Sequence, residues 1–517
     1  MTDTAPASSR SSLLKRAAGL LLALGVLALP DGIGPPGEAK FVLALLVLMA
    51  VWWITEAIPL AITALLPIIA LPILAIPIAV DERGRLSCTQ AICATADGTT
   101  PEADRLLTLA DLGAWYSHPI VLLYIGGFLL GIAIERSGLS RRIALSIVAR
   151  AGDDPRLILA AFIAAAGFIS MWISNTSTSL ILTPLALSLA TGVGAGGGRF
   201  ASSLVLSIAW AATIGGLATP IGTPTNAIAL SQLRSAGIEV SFLQWMSIGV
   251  PVVLILLPTA WLILSRGLAA ETGPGGGVRT RVRSELDALG PVSSWEKRTA
   301  LVFLLTAGLW VSSSFIAETL GPVLTGARMD PGHVDTMIAT LAGLLFFLVP
   351  AGGGKDRSIL TWTDARDLPW EILLLFGGGM ALAGGAELSG LSAWLAHALD
   401  GLGGLHPALV ILIVGALVIM ITEFASNIAT ISIMGPVLLA LAAGSNTLSV
   451  ASFIIPAAMA ASMGFAMPVG SGSNAIAYGT GQVPMGRMIR LGLVFNVCCL
   501  MALTVLALTL FPMAFTS

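Results

Sequence analysis

The stretch MWISNTSTSLILTP, Met171 to Pro184, decides how the rest of the chain is read. Six consecutive polar residues, Ser174-Asn175-Thr176-Ser177-Thr178-Ser179, interrupt one of the most apolar regions of an apolar protein. The island returns as ITEFASNIATISIMGP, Ile421 to Pro436, where Ser426-Asn427 stands 252 residues after Ser174-Asn175. The flanks repeat as well. Glu135 and Gly138 of IERSGLS recur at the same offset as Glu387 and Gly390 of GAELSGLS. Beyond each island, GTPTNAIA with Asn226 recurs as GSGSNAIA with Asn474, now 248 residues on. The chain therefore holds two matching halves with one small length change between them.

Composition sets the class. Residues are 56 % hydrophobic and 10 % charged, against about 25 % charged in soluble domains, and mean hydropathy is +0.93. Many windows of about twenty apolar residues are long enough to cross a ~30 Å hydrocarbon core. The expectation is an all-α polytopic membrane protein. A net charge of −2 distributed over loops argues against a nucleic-acid partner. The N-terminal MTDTAPASSRSSLLKR and the apolar stretch from Ala17 read as an uncleaved first span, because no clear A-x-A site follows.

Spans are expected at about 17–30, 40–57, 60–80, 119–137, 200–231, 245–265, 299–318, 335–350, 369–388, 451–480 and 491–513, eleven in all. The island segment Leu157–Ala190 has 34 residues, whereas two crossings need about 40 plus a turn. Halves of about 16 residues reach only ~24 Å. A re-entrant hairpin with Ser174-Asn175-Thr176 at its tip follows, and a second over about 406–442. The fifth and tenth spans are interrupted by Thr219-Pro220-Ile221-Gly222-Thr223-Pro224 and by GSGSN. Broken backbone at membrane depth survives only when buried in protein or lining a polar cavity.

This divides the chain into 1–118 (scaffold spans one to three and an outer loop), 119–240 (first repeat core), 241–368 (scaffold spans six to eight with the 266–298 loop), 369–490 (second repeat core) and 491–517 (last span). Twenty of the 26 Lys and Arg residues fall on one side of this topology. The positive-inside rule then puts the N-terminus in the cytoplasm and the C-terminus outside. Five spans separate the hairpins, so they enter from opposite faces and the repeat is inverted. Cys88 and Cys93 lie outside, where a structural disulfide can close their small loop in an oxidising compartment. Cys498 and Cys499 lie in the last span as packing residues.

An inverted repeat with matching broken helices is the layout of a secondary transporter, with its site at the midplane between the halves. Half-helix N-termini attract anions, unwound carbonyls suit Na⁺, and Ser, Thr and Asn add neutral donors and acceptors without burying charge. Enzyme readings find no inventory. His118, His333, His397 and His406 fall at span ends or in loops, and HExxH, GxSxG and GxxxxGK[ST] motifs are absent from the sequence. Energy must then come from an ion gradient or from exchange.

The MWISNT and TEFASN hairpins, the WWITEAIPLAITALLP segment from Trp52 and the two breaks together resemble the divalent anion/sodium symporter family, over almost the whole chain. That resemblance implies a homodimeric carrier of the bacterial inner membrane with a scaffold and a transport domain moving as an elevator. It implies sodium-coupled import of a small dicarboxylate such as succinate, malate or fumarate. Sulfate, citrate and sodium-independent exchange stay open, and an anion channel is the rival from another class. By resemblance, one Na⁺ site is formed by Ser170, Ser174, Asn175 and Gly222, and a second by Thr422, Ala425, Asn427 and Gly470. The anion falls to Asn175, Thr176 and Thr223 on one side, and to Asn427, Ser471 and Gly472 on the other. No organic cofactor is implied.

Two departures bear on specificity. Ile428 stands where the family has Thr, with Thr430 as a possible compensating hydroxyl. The usual Thr-Pro-Pro-Asn of the second break reads Ser471-Gly472-Ser473-Asn474, which keeps close backbone approach but loses proline rigidity. Glu135 and Glu387 are expected to be structural. The pairs Gly126-Gly127 and Gly378-Gly379 are expected to allow close helix contact, and Trp172 to pack. Glu423, beside the second tip, is a candidate for tuning cation affinity.

Overall fold

A computed structural model describes residues 9–30, 33–80, 86–88, 105–190, 198–268, 278–325, 327, 329–353, 355–398, 405–443 and 449–515. The described chain is mostly helical. Six helices are long and apolar enough to cross a bilayer: Gly37–Thr55, Leu109–Ser137, Phe242–Leu264, Pro331–Leu348, Trp370–Leu388 and Met485–Phe511. Ser294–Val311 joins Ser313–Val323 across a 76° bend and makes a seventh if counted as one span. Of the eleven expected spans, the fifth and tenth are broken where the sequence places interruptions, the third is broken as well, and the first is the continuous helix Ser9–Leu27, which is not among the six. The segment expected to span 60–80 is two short helices, Leu60–Thr63 and Leu66–Ile73, followed by a strand from Pro77. Pro59, Pro67, Pro72 and Pro77 punctuate it, and each removes a backbone donor.

Two small antiparallel sheets decorate the helices: Pro77–Val80 with Leu86–Cys88 and Arg105–Leu106, and Pro350–Gly352 with Lys355–Ser358. Cys93 lies outside the described residues, so its pairing with Cys88 does too. Two further helices sit where loops were expected. Leu139–Val148 buries Leu139 at its start and Ala144, Leu145 and Val148, the last three spaced as one helical face. Val278–Ala288 packs on it, with Glu285 reaching Arg141 at 3.3 Å.

The duplication is visible element by element. Pro119–Ser137, Leu139–Val148, the helix pair Pro155–Ser170 and Asn175–Ala190, Gly198–Gly215 and Pro224–Ser235 follow one another in the first half. Trp370–Leu388, Leu391–Ala398, the pair Pro407–Thr422 and Asn427–Ala443, Val450–Ala461 and Gly472–Gly479 follow in the second. Gly138 and Gly390 turn the corner after the first helix of each half with φ of +83° and +78°, a region costly for residues with a Cβ. The first helices carry the glycine pairs. A Cβ on Gly126 would lie 2.2 Å from the Ala339 carbonyl oxygen, and one on Gly378 2.3 Å from that of Ala64. Gly379 meets open space instead.

The halves interlock. Gly472–Gly479 packs on Asn175–Ala190 and Gly198–Gly215 of the first half, while Pro224–Ser235 packs on Asn427–Ala443 and Val450–Ala461 of the second. Thr225 and Ser462 hydroxyls, both buried, meet at 2.8 Å across this seam.

Candidate functional site

Each hairpin tip is built by the same local chemistry. Ser174 Oγ accepts from the Ser177 N–H at 3.1 Å, and Ser426 Oγ accepts from the Ala429 N–H at 3.2 Å. Each serine thus satisfies one of the orphan donors at the start of the returning helix. Five residues before each asparagine, a buried hydroxyl turns toward it: Ser170 Oγ donates to Asn175 Oδ1 at 2.8 Å, and Thr422 Oγ1, which donates to the Ala461 carbonyl at 2.6 Å, lies 2.8 Å from the Asn427 amide.

The breaks repeat each other as closely. Asn226 Nδ2 donates to the carbonyls of Gly216 and Thr219 at 2.9 and 2.8 Å. Asn474 Nδ2 donates to those of Gly464 and Met467, the corresponding residues, at 2.8 and 3.1 Å. Two further carbonyls of the first break are also met, and the break is tied to the hairpin. Trp245 Nε1 donates to Leu217 O at 3.1 Å and Tyr124 Oη to Pro220 O at 2.6 Å, while Thr219 Oγ1 closes onto Met171 O at 2.5 Å. Irregular backbone is held by side chains that replace the helical partners it lost.

The second break is held differently. The buried Glu423 carboxylate accepts from the Ala466 and Met467 N–H groups at 2.9 and 2.8 Å, and from Asn496 Nδ2 at 2.5 Å. Asn496 Oδ1 in turn accepts from the Phe465 N–H at 3.3 Å. Glu423 therefore joins hairpin, break and last helix, a role the sequence reading did not find.

Tips and breaks converge on one cavity of about 880 Å³. Its wall includes Ser174, Asn175, Thr176, Gly222, Thr223, Asn427, Ile428, Gly470, Ser471 and Gly472, ten of the residues singled out from sequence. The first residues of four helices, those starting at Asn175, Pro224, Asn427 and Gly472, line it. Such N-termini present unpaired N–H groups and the positive end of the helix dipole, which suits an anion. Across the cavity the halves come close: a Cβ on Gly472 would lie 2.7 Å from Thr176 Oγ1. Glu135, Arg136 and Asp367 stand in the same wall, with Arg136 paired to Asp367.

Ser170, Thr422 and Ala425 are buried behind the wall rather than in it. Thr430 is a correction: it does not line the cavity, and its buried hydroxyl donates to the Ser426 carbonyl at 3.0 Å. A residue four positions into a helix readily bonds back in this way, so it does not replace the hydroxyl missing at Ile428. Trp172 stacks edge-on against Phe303 with centroids 4.8 Å apart, and also touches the cavity. Ser473, not singled out from sequence, lines the cavity with a buried hydroxyl that has no protein partner among the described residues.

Oxygen atoms cluster behind the two asparagines. Around the Asn427 amide lie Gly470 O at 2.6 Å, Ala461 O at 3.0 Å and Thr422 Oγ1 at 2.8 Å. With its nitrogen inward the amide donates to these three; with its oxygen inward they form an all-oxygen cage. At the first tip, Asn175 Oδ1 and Gly222 O lie 2.5 and 3.0 Å from where a Gly216 Cβ would stand. Neutral oxygens from hydroxyls, amides and carbonyls are the donor set of a hard cation. Among the described residues no group of three or more His, Cys, Asp or Glu offers a competing metal site. The Ala461 carbonyl is a member of the cage that the sequence reading missed.

Comparison with known proteins agrees with this architecture. The profile of the family described as the sodium:sulfate symporter transmembrane region matches residues 10–515. The sodium-dependent dicarboxylate transporter SdcS of Staphylococcus saprophyticus is 36 % identical over 498 residues, covering 93 % of this chain and 88 % of that protein. Among solved structures, the YdaH transporter of Alcanivorax borkumensis matches with a TM-score of 0.54 at 16 % identity, over 91 % of this chain and 98 % of that one. MtrF of Neisseria gonorrhoeae matches with a TM-score of 0.56 at 11 % identity, over 95 % and 98 %. These two likenesses are of fold. With the family profile spanning nearly the whole chain, the protein is a membrane transporter and not an enzyme, and it belongs to the sodium:sulfate symporter family.

Proposed function

We propose that the protein imports a small dicarboxylate of the succinate, malate or fumarate type by sodium-coupled symport. The observation that carries this reading is the pair of matched oxygen clusters behind Asn175 and Asn427, opening on one cavity lined by neutral donors and helix N-termini. Na⁺ binds first. At the second tip it turns Asn427 Oδ1 inward, in place of the amide's hydrogen bonds to Ala461 O and Gly470 O. A cation behind each tip then offsets the charge of an anion held between Asn175, Thr176 and Thr223 on one side and Asn427, Ser471 and Gly472 on the other. Sodium-dependent dicarboxylate transport by a relative at 36 % identity supports the choice of anion.

The hairpins are re-entrant, the two halves are inverted in the membrane, and eleven spans bring the C-terminus outside the bacterial inner membrane. The cavity wall bears Arg136 on the arginine-rich side, so this conformation faces the cytoplasm. Hairpins and broken spans move as an elevator against spans one to three and six to eight, which also form a homodimer. Labelled succinate uptake into proteoliposomes tests the coupling: an inward Na⁺ gradient drives saturable uptake and choline replacement abolishes it. Uptake that is equal in choline overturns the reading. Exchange only into preloaded vesicles makes the protein an antiporter, and transport of sulfate or citrate in place of succinate moves the substrate class.

A further inference from the structure

A second cavity, of about 470 Å³, lies away from the transport site and carries four arginines: Arg199, Arg266, Arg487 and Arg490. They come from three elements, the start of Gly198–Gly215, the turn after Phe242–Leu264 and the start of Met485–Phe515. The long helices pack against one another, so the guanidinium groups share one recess although the residues are up to 291 positions apart (490 minus 199). Arg487 is half-buried and donates to the hydroxyl of the buried Ser203 at 2.7 Å, which fixes it. Among the described residues, Arg199, Arg266 and Arg490 have no carboxylate within 4.0 Å. Arg199, Arg266 and Arg490 in one recess repel one another unless an anion joins them.

The rest of the cavity is apolar. Ile263, Gly486, Leu491 and Val494 complete it, and the helices continue outward as exposed apolar faces with Leu262 on one and Leu493, Val494 and Val497 on the other. A soluble phosphate needs only the charged floor. A molecule carrying an anionic head and acyl chains uses both. The arginines also lie on the side that holds twenty of the chain's 26 basic residues, where anionic headgroups meet cationic pockets between membrane helices.

The geometry points to a binding site for the phosphodiester headgroup of an anionic phospholipid, with its acyl chains on the apolar faces of Phe242–Leu264 and Met485–Phe515. Arg is suited to this because its planar fork bonds two phosphate oxygens at once. The site is independent of the transported anion, since none of its residues lines the central cavity.

The test uses the full chain purified in detergent, with lipid binding read by native mass spectrometry. Phosphatidylglycerol, phosphatidylcholine and inorganic phosphate are titrated separately. Phosphatidylglycerol is expected to bind at least about tenfold more tightly than phosphatidylcholine, and inorganic phosphate is expected not to compete with it. The Arg199→Gln, Arg266→Gln, Arg490→Gln variant is expected to lose that preference while keeping its elution volume. Should the triple variant not fold, Arg490→Gln alone is expected to weaken phosphatidylglycerol binding severalfold. Equal binding of the two lipids, or an unchanged preference in a folded variant, overturns the assignment. Inorganic phosphate competing at the same concentrations overturns the lipid source and leaves a soluble-anion pocket.

Discussion

The Asn427 amide meets three oxygens; under the proposed symport its nitrogen face donates to them in the absence of a cation and its oxygen face would coordinate Na⁺. Alanine at Asn427, or at the matching Asn175, removes both options. Each variant is expected to abolish sodium-driven uptake while eluting as folded protein; normal uptake by either removes the site assignment. Aspartate would add a charge to the cavity wall and is not a neutral replacement. Glu423 acts through the backbone, because its carboxylate faces two N–H groups and Asn496 and is absent from the central cavity wall. Glu423→Ala strands those donors at about 1–3 kcal/mol each, so a lower melting temperature is expected. Glu423→Gln keeps an acceptor for one and is expected to recover part of the loss. If alanine lowers sodium affinity yet leaves the melting temperature unchanged, Glu423 belongs to the cation site and not to the frame.

At the scale of elements, the two breaks are held by asparagines that occupy the same place in each repeat. Asn226 and Asn474 each cap two carbonyls released by the interruption. Alanine at Asn226 leaves both carbonyls of its break without that donor, whereas Asn474→Ala acts in a break also gripped by Glu423. Asn226→Ala is therefore expected to raise the sodium concentration for half-maximal uptake more than Asn474→Ala does, measured side by side in proteoliposomes. The opposite order would mean that Tyr124, Trp245 and Thr219 suffice to hold the first break. The hairpin elements explain Ile428 as well. Its side chain lines the cavity while Thr430 is turned into the helix; Ile428 and Ala429 stand where the first tip has Thr176 and Ser177, so the second tip offers two hydroxyls fewer than the first. Ile428→Thr is expected to change the ranking of competing anions more than the maximal rate.

At the scale of the molecule, charge sets the expected orientation. Twenty basic residues on one side make opposite placement of the termini the expected topology. A fluorescent-protein fusion at the N-terminus is expected to be bright, and an alkaline phosphatase fusion at the C-terminus active. Two termini reporting the same side would overturn the count of eleven spans, because the number of crossings would then be even. The interlocking of the halves gives a reason for cooperativity between the tips. Thr176 of the first tip lies against Gly472 of the second break, so a movement of one half's tip is felt at the other half's break.

Much of this was legible in the sequence. Polar islands in an apolar chain are costly unless used, and their recurrence at 252 residues marks Asn175 and Asn427 as equivalent before any coordinates are seen. Proline and glycine at membrane depth mark the breaks for the same reason. The helices at Leu139–Val148 and Val278–Ala288 escaped notice because their charged faces resemble loops. What the sequence by itself determined was the membrane class, the duplication and the polar residues that face inward, since these follow from local composition and spacing. Only the tertiary structure decided that the Ala461 carbonyl joins the second cage, that Glu423 reaches Ala466, Met467 and Asn496, that Thr430 turns away, and that four distant arginines share one recess. Backbone carbonyls carry no residue signature, and convergence of distant residues is set by how helices pack.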